Sequence, residues 1–249
     1  MPTAQPRLVL HLLPPSHPCH AVEAALALKG LEFERVELSI GRHGEEMARI
    51  YGEGRTTVPG LLVDDEPVHG SNAILERLEA LAPEPPLYPA GIAERVAEAA
   101  RWGDEELQDL GRRIPWGALH FRPEMLSVVG GAAEPLDPAG VDYAMRFVRA
   151  AWKYHGITAA RLAEDLAGLP AKLDVCDGFV AEGLMGGDAP TAADLQIGAT
   201  LRVLMFVADV RPLVEGRPCA ASAARFFPPL PAGAIPAGAF PAGWVPSAG

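Results

Sequence analysis

The sequence predicts a chain in two parts: an α/β region with the element order β-α-β-α-β-β-α, then an all-helical region. Strand-like segments occur only in the first eighty or so residues, and the segment APEPPLYP follows them. Every later apolar pattern has helical spacing. We therefore expect domains at 1–82 and 91–227, a linker at 83–90 and a Pro/Ala/Gly-rich tail at 228–249.

The first region contains four predicted strands and three predicted helices. The run RLVLHLL is apolar and is ended by Pro14 and Pro15, which indicates a buried strand, whereas FERVEL alternates as a half-exposed strand does. The acidic tripeptide at 64–66 predicts a tight turn between the last two strands. The strands are expected at 7–13, 33–38, 58–63 and 67–69, and the helices at 18–29, 45–51 and 72–81.

The second region contains helical patterns separated by Gly- and Pro-rich segments. Residues 192–207 are almost wholly apolar, so this helix is expected at the centre of the region. Residues 115–138 predict an irregular excursion, and Pro170 is a possible break in the longest helix. The helices are expected at 92–113, 141–155, 158–182 and 192–207, with a last short one within 213–227, and the tail is expected to be flexible or draped over the surface.

Composition excludes several classes of protein. Hydrophobic residues make up 49% and charged residues 21%, as in globular proteins, and the net charge of -11 disfavours nucleic-acid and anionic-membrane partners. Three widely spaced cysteines suit neither a disulfide framework nor a metal cluster, so we expect no metal and a reducing, cytoplasmic location. Residues 1–6 do not resemble a signal peptide, and no apolar run approaches about 20 residues.

Four short motifs occur in a fixed order along the chain. They are Ser16-His17-Pro18-Cys19 before the first helix, Thr57-Val58-Pro59-Gly60-Leu61 at a strand entry, Gly70-Ser71-Asn72-Ala73-Ile74 before the third helix, and Pro190-Thr191-Ala192-Ala193-Asp194-Leu195 before the apolar helix. Thr191 and Asp194 predict a structural capping box. Together the motifs resemble those of the glutathione S-transferase superfamily, over residues 7–227.

The resemblance implies a thioredoxin-like N-terminal domain, an all-helical C-terminal domain and glutathione as co-substrate. Ser16 corresponds to the catalytic Ser or Cys of the family, and its hydroxyl would donate a hydrogen bond to the glutathione thiolate. The alternative is that Ser16 only caps the helix. Cys19 is either a redox thiol at a helix start or a small buried apolar side chain. His17, which lies beside them, either helps to bind the ligand or is simply solvated.

The other two motifs of the first region imply the remainder of a glutathione site. The Val58-Pro59 bond is expected to be cis, which exposes the peptide groups of Val58 to the cysteinyl part of the ligand. Ser71 and Asn72 open the third helix, where backbone N–H groups bind a carboxylate. Gly70 departs from the family pattern because an acidic residue usually stands there. A replacement from Asp104 or Glu105, across a dimer interface, is one possibility.

The second substrate is expected to bind between the domains, where the candidate pocket residues are Trp102, Trp116, His120 and Phe121. The implied function is attack of the glutathione thiolate on a small apolar electrophile, by a homodimeric enzyme. Three alternatives stay open. They are a non-catalytic ligand-binding or interaction protein, a monothiol reductase or isomerase that uses Cys19, and an enzyme that uses another low-molecular-weight thiol.

Overall fold

The structure of the protein is a computed structural model that describes residues 5–228 and 235–247. Part of the predicted tail, residues 229–234 and 248–249, lies outside the described residues, as do residues 1–4 of the predicted first domain.

The α/β region has the predicted element order β-α-β-α-β-β-α. The four strands form one mixed sheet of order β2-β1-β3-β4, in which β1 and β2 are parallel and the other two pairs are antiparallel. All five residues of β1 are buried, as its apolar run predicts. The elements are β1 Leu8–Leu12, α1 His17–Leu28, β2 Glu34–Glu37, α2 His43–Tyr51, β3 Gly60–Val63, β4 Glu66–His69 and α3 Ser71–Leu81.

A buried lysine fixes the chain where it leaves this region. The Lys29 ammonium is fully buried and donates to Glu79 Oε2 (2.7 Å) and to the carbonyl oxygens of Ala82 (2.6 Å) and Pro85 (3.1 Å). Because all three donors are used, the charge is compensated, and the segment after α3 is held against the end of α1.

The second region is helical, with α9 at its centre. Eleven of the thirteen residues of α9 are buried, and α9 packs against α1, α4, α5 and α11. The elements are α4 Ala93–Trp102, a π-helical turn Gly103–Leu107, α5 Gln108–Phe121, a 3₁₀ turn Pro123–Met125, α6 Leu126–Val129, α7 Pro138–Tyr154, α8 Ala159–Ala181, α9 Ala192–Leu204, α10 Arg211–Val214 and α11 Pro218–Phe226. No helix within the described residues is both long and apolar enough to span a membrane.

Two predictions for this region are wrong, both because of proline. Residues 115–121 belong to α5 rather than to an irregular excursion, and α8 passes through Pro170 without a break. In α5 the buried residues Ile114, Ala118 and Leu119 hold the helix to the core on both sides of Pro115. Tertiary packing thus compensates the backbone hydrogen bond that proline removes.

The described part of the tail is docked, not merely draped over the surface. Ile235 is fully buried and forms a parallel bridge to Val207. The carboxylate of Asp209 accepts hydrogen bonds from the backbone N–H groups of Gly238 (2.7 Å), Ala239 (2.7 Å) and Phe240 (3.1 Å). One acidic side chain outside the tail therefore fixes three of its residues.

Candidate functional site

The three predicted ligand-binding segments meet where β1 and β4 end and β3 begins, a place that we call the sheet edge. β3 runs antiparallel to both β1 and β4, so the start of β3 lies beside the ends of the other two, and Gly60 pairs with both His11 and His69. Gly70 N donates to Pro59 O (3.0 Å). The loops that carry Ser16, Val58 and Ser71 therefore converge, as a single binding site requires.

Ser16 stands at the N-cap of α1 but does not cap it. Its side chain is half-buried and makes no capping hydrogen bond. Within the described residues the N–H of His17 has no partner either, whereas the N–H groups of Cys19 and His20 bond to Ser16 O. Pro18 has no N–H. The start of α1 thus keeps one backbone donor free for a ligand, beside the Ser16 hydroxyl, whose one partner among the described residues is the Cys19 thiol.

The structure corrects the expectation that the His17 side chain is solvated. The residue is 4% exposed, and a Cβ added at Gly111 of α5 would lie 2.9 Å from its Nε2. Burial, together with the charge of Arg112, lowers the pKa of His17 well below its usual value. The imidazole is therefore neutral and packed against α5, which leaves only the backbone N–H of His17 for a ligand.

Cys19 lies one turn into α1 and is fully buried. Burial raises the pKa of its thiol to about 12, although a hydrogen bond with Ser16 partly opposes the shift. The thiol is therefore protonated at neutral pH and has no access to a bulky partner. This environment suits a small apolar side chain rather than a nucleophile.

The Val58-Pro59 bond is cis, as predicted. The peptide groups of Val58 form no hydrogen bond within the described residues, so both remain available to an extended ligand. Side chains from two other elements fix the preceding residues. His69 Nε2 lies 2.8 Å from Thr57 O, and the Tyr154 hydroxyl at the end of α7 donates to Thr56 O (3.1 Å).

The start of α3 also has free donors. The N–H groups of Ser71, Asn72 and Ala73 have no partner among the described residues. Gly70, the N-cap, has φ of 92°, a conformation that favours glycine. The structure therefore offers a carboxylate-binding helix start without the acidic neighbour that the family pattern usually supplies.

Side chains from the helical region complete the start of α3. Ser71 is 2% exposed, and its Oγ accepts hydrogen bonds from Gln108 Nε2 (3.3 Å) and Gln196 Nε2 (2.9 Å). Both amides also donate to Oδ1 of Asp104, at 2.7 Å and 3.1 Å. Asp104 belongs to the same chain as Ser71, so the carboxylate reaches this point without a partner subunit.

The four candidate pocket residues do not all come together. Trp102 lies apart from the others, in edge contact with Phe179 of α8. His120 stacks on Trp152 of α7, whose indole N–H donates to Trp116 O, and Phe121 contacts Phe240 and Trp244 of the tail. The tail therefore reaches the end of α5.

Sequence reasoning missed three residues at this edge: Gln108, Gln196 and Tyr154. Gln196 carried a usable signal because it is a long polar side chain inside the apolar pattern of 192–207. Gln108 and Tyr154 lie on amphipathic helices, where an ordinary solvated side chain is the usual explanation. Only the packing of the helices reveals that they face the sheet edge.

Comparison with known proteins matches the α/β region to a known family. Residues 10–86 match the family model described as glutathione S-transferase, N-terminal domain. Glutathione S-transferase Z1 of Arabidopsis thaliana is 35% identical over 80 residues, which cover 31% of this chain and 35% of that protein. The chain thus matches about a third of the length of that curated relative.

Solved structures extend the likeness over most of the chain. Human glutathione S-transferase T1-1, as an apo mutant, has a TM-score of 0.62 at 24% identity, covering 88% of this chain and 81% of that one. The β-etherase LigF from Sphingobium sp. strain SYK-6 has a TM-score of 0.57 at 21% identity, covering 80% and 84%. At these identities the likeness establishes the fold, a thioredoxin-like sheet with an all-helical second part.

Proposed function

We propose that this chain belongs to the glutathione S-transferase superfamily, whose N-terminal domain model matches residues 10–86, and that it is a glutathione transferase-like enzyme. In this proposal residues 1–82 and 91–227 act as two domains, and Ser16 activates the thiolate of glutathione for attack on a small apolar electrophile. The supporting observation is the convergence of Ser16, Val58 and Ser71 at one sheet edge, each with unused hydrogen-bonding groups.

Each segment has a distinct task in the proposed reaction. The Ser16 hydroxyl and the His17 N–H donate to the sulfur, which lowers the pKa of the bound thiol. The peptide groups of Val58 pair with the cysteinyl part of glutathione, and the start of α3 binds the γ-glutamyl carboxylate. The thiol proton passes to water, and the thiolate attacks the electrophile. The new C–S bond forms as the leaving group departs with its bonding electron pair or, at a double bond, as the neighbouring carbon takes a proton from water.

The pocket for the electrophile is proposed at the end of α5. His120 and Phe121 remain candidates because they share one run of aromatic contacts with α7 and the tail. Trp116 remains one because its carbonyl oxygen accepts from the Trp152 indole in that run. Trp102 is a weaker candidate, since its contacts are with Phe179 and Lys172 of α8. These apolar groups favour a small apolar substrate.

The decisive experiment is Ser16→Ala in a conjugation assay, with retention on glutathione-agarose measured in parallel. We expect kcat/KM to fall about a hundredfold, the usual loss when one donor to a developing anion is removed. Retention should persist because Val58 and Ser71 still bind the peptide. Ser247→Ala is the matched control, since Ser247 is exposed and lies beside Pro170 and Pro212 of the helical region, away from the sheet.

Two results would contradict the assignment to Ser16. If Ser16→Ala keeps full activity while Cys19→Ala abolishes it, the monothiol alternative holds despite the burial of Cys19. If the wild-type protein shows neither retention nor turnover but binds apolar ligands, the non-catalytic alternative holds. Gly70, which leaves the start of α3 without its usual acid, is the observation that favours that second outcome.

We further propose a cytoplasmic homodimer. All three cysteines are unpaired and buried, which suits a reducing compartment. The family usually pairs its domains across a two-fold axis. A mass of one chain, 26.3 kDa, by light scattering would contradict the dimer.

A further inference from the structure

Two side chains form a relay beside the turn that carries Ser16, and we call them the His20 relay: His20 of α1 and Arg202 of α9. His20 Nε2 lies 2.7 Å from Pro14 O, and Arg202 Nη1 lies 3.1 Å from His20 Nδ1. Arg202 Nε also donates to Pro228 O (2.6 Å), just beyond α11. The proposed activation of the thiol assigns no task to either side chain.

Arg202 determines which nitrogen of the His20 ring carries the hydrogen. A guanidinium group contains donors only, so Nδ1, the ring nitrogen that faces Arg202, has to accept. In a neutral imidazole the other nitrogen, Nε2, then carries the hydrogen and donates it to Pro14 O. The relay therefore has one direction, from Arg202 through the ring to the carbonyl group of Pro14.

The bond from His20 completes the fixation of the turn before Ser16. Ser16 N donates to Leu13 O (3.0 Å), and Ser16 O accepts from His20 N (3.2 Å). The two residues of the turn, Pro14 and Pro15, have no N–H group and are exposed. Within the described residues, Pro14 O accepts from the His20 ring alone. His20 thus holds this turn twice, by its backbone N–H and by its ring.

Burial and charge keep the His20 ring neutral. A second proton would place two cations 3.1 Å apart and would occupy the lone pair that binds Arg202. Burial first, and then the charges of Arg202 and of Arg35 on β2, lower the pKa of His20. The backbone hydrogen bond and the carboxylate of Glu23 on α1 oppose this shift. His17, one turn earlier on α1, is neutral as well, because burial lowers its pKa too.

We propose that His20 is a positioning residue for the Ser16 hydroxyl and that Arg202 holds its ring in the required tautomer. The inference rests on the proposed function and goes beyond it, because it assigns the aim of the hydroxyl to side chains outside the sheet edge. A group that donates to a reacting sulfur has to be held within about 0.5 Å of its productive place. Release of Pro14 O frees the turn on one side of Ser16, so the chemical step should slow while the peptide still binds at the rest of the sheet edge.

The kinetic test replaces the ring by two amides of different reach. In His20→Gln the side-chain amide reaches the place of Nε2 and can donate to Pro14 O, whereas the shorter amide of His20→Asn reaches only the place of Nδ1. We expect kcat for conjugation to fall about tenfold in His20→Asn and to stay within about twofold of the wild-type value in His20→Gln. The KM for glutathione and the retention on glutathione-agarose should change in neither variant.

Two further comparisons separate positioning from a general loss of structure. In the Ser16→Ala background, His20→Asn should cause no further loss of kcat, because the hydroxyl that it would misplace is absent. Glu23→Gln is the matched control and should keep the wild-type kcat. Glu23 is half-buried on α1, one turn from His20, and its carboxylate bonds to Arg35.

Nuclear magnetic resonance of ¹⁵N-labelled histidine tests the His20 relay at the ring itself, with the His20 signals identified by their loss in His20→Gln. In wild-type protein the ring should be neutral, with its hydrogen on Nε2, at about pH 6.5, where a free histidine is half protonated. In Arg202→Met the midpoint of the His20 titration should move to higher pH, because a neighbouring cation is removed.

Three results would overturn the inference and leave the proposed function standing. They are an unchanged kcat in His20→Asn, an equal loss when the same change is made in Ser16→Ala, and a wild-type ring that carries its hydrogen on Nδ1. Wild-type protein without conjugating activity overturns both the inference and the proposed function. Should His20→Asn not fold, His20→Leu, which also lacks a donor to Pro14 O, takes its place in the same assays.

Discussion

The start of α9 and the starts of α1 and α3 use similar residues in opposite ways. At α9, Thr191 Oγ1 accepts from Asp194 N, and Asp194 Oδ2 accepts from Thr191 N (3.0 Å), so the predicted capping box is complete. Asp194 Oδ1 also accepts from Gly186 N (2.8 Å) and from the Ser222 hydroxyl. At α1 and α3 the N-cap residues, Ser16 and Gly70, make no side-chain cap at all.

The difference separates a structural role from a ligand-binding role. Unpaired N–H groups at a helix start are a cost wherever water is excluded, so a helix start inside the core must be closed by its own side chains. A start at an open edge can leave its donors for an anion. The sequence motif is therefore less informative than whether the donors are already paired.

The largest effect on stability is expected when the capping box at the start of α9 is removed. Asp194→Ala should lower the free energy of unfolding by about 4 kcal/mol, because Asp194 is fully buried and its loss strands N–H groups of Gly186 and Thr191. Chemical denaturation measures the change. Asp188→Ala, at an exposed carboxylate, should cost less than about 0.5 kcal/mol. Equal losses of unfolding free energy in the two variants would show that the start of α9 does not depend on the hydrogen bonds of Asp194.

The next largest effect is on the pH dependence of stability, and it depends on His17, the first residue of α1. The pKa of His17 is lowered well below its usual value by burial first, and then by Arg112, His20 and His155. Below about pH 6.5 the unfolded chain therefore binds a proton that the folded protein refuses, and stability is lost as the pH falls. The loss grows as the pH falls further below about 6.5, because only the unfolded chain takes up the proton.

His17→Gln isolates that contribution because an amide does not titrate. The free energy of unfolding of the variant should fall less steeply than that of wild-type protein between pH 6.5 and pH 5, by denaturant titration at each pH. Parallel curves would show that His17 is accessible to protons in the folded state, and hence that α5 does not seal the start of α1.

Sequence alone was sufficient wherever a residue acts through its neighbours in the chain. The Thr191 and Asp194 box and the order of the elements depend on local pattern, and the cis Val58-Pro59 bond follows from the resemblance of its motif to that of the family. The expectation of a solvated His17 was wrong because the residue that it packs against, Gly111, lies on a distant helix. Local pattern places His17 beside Ser16 but does not show which way the ring points.

The link from Gln196 to Ser71 spans 125 positions, so no motif contains it. No motif contains the contact of the tail with Asp209 either, since it joins residues about 30 positions apart. What sequence reasoning lacked in both cases is the relative placement of helices. That placement follows from packing over the whole core rather than from any one segment.

The smallest effect is expected from removing the hydroxyl of each N-cap residue in turn, Thr191 of α9 and Ser16 of α1. Thr191→Ala should cost about 1 to 2 kcal/mol of unfolding free energy, since it removes a capping acceptor and a bond to Leu184 O (2.8 Å). Ser16→Ala should change stability by less than about 0.5 kcal/mol, because no capping bond is lost. In the conjugation assay the order of the two variants should reverse, because only Ser16→Ala is expected to lose activity per folded molecule. A loss of stability in Ser16→Ala as large as that in Thr191→Ala would mean that Ser16 caps α1 after all, and its hydroxyl would then be unavailable to the thiolate.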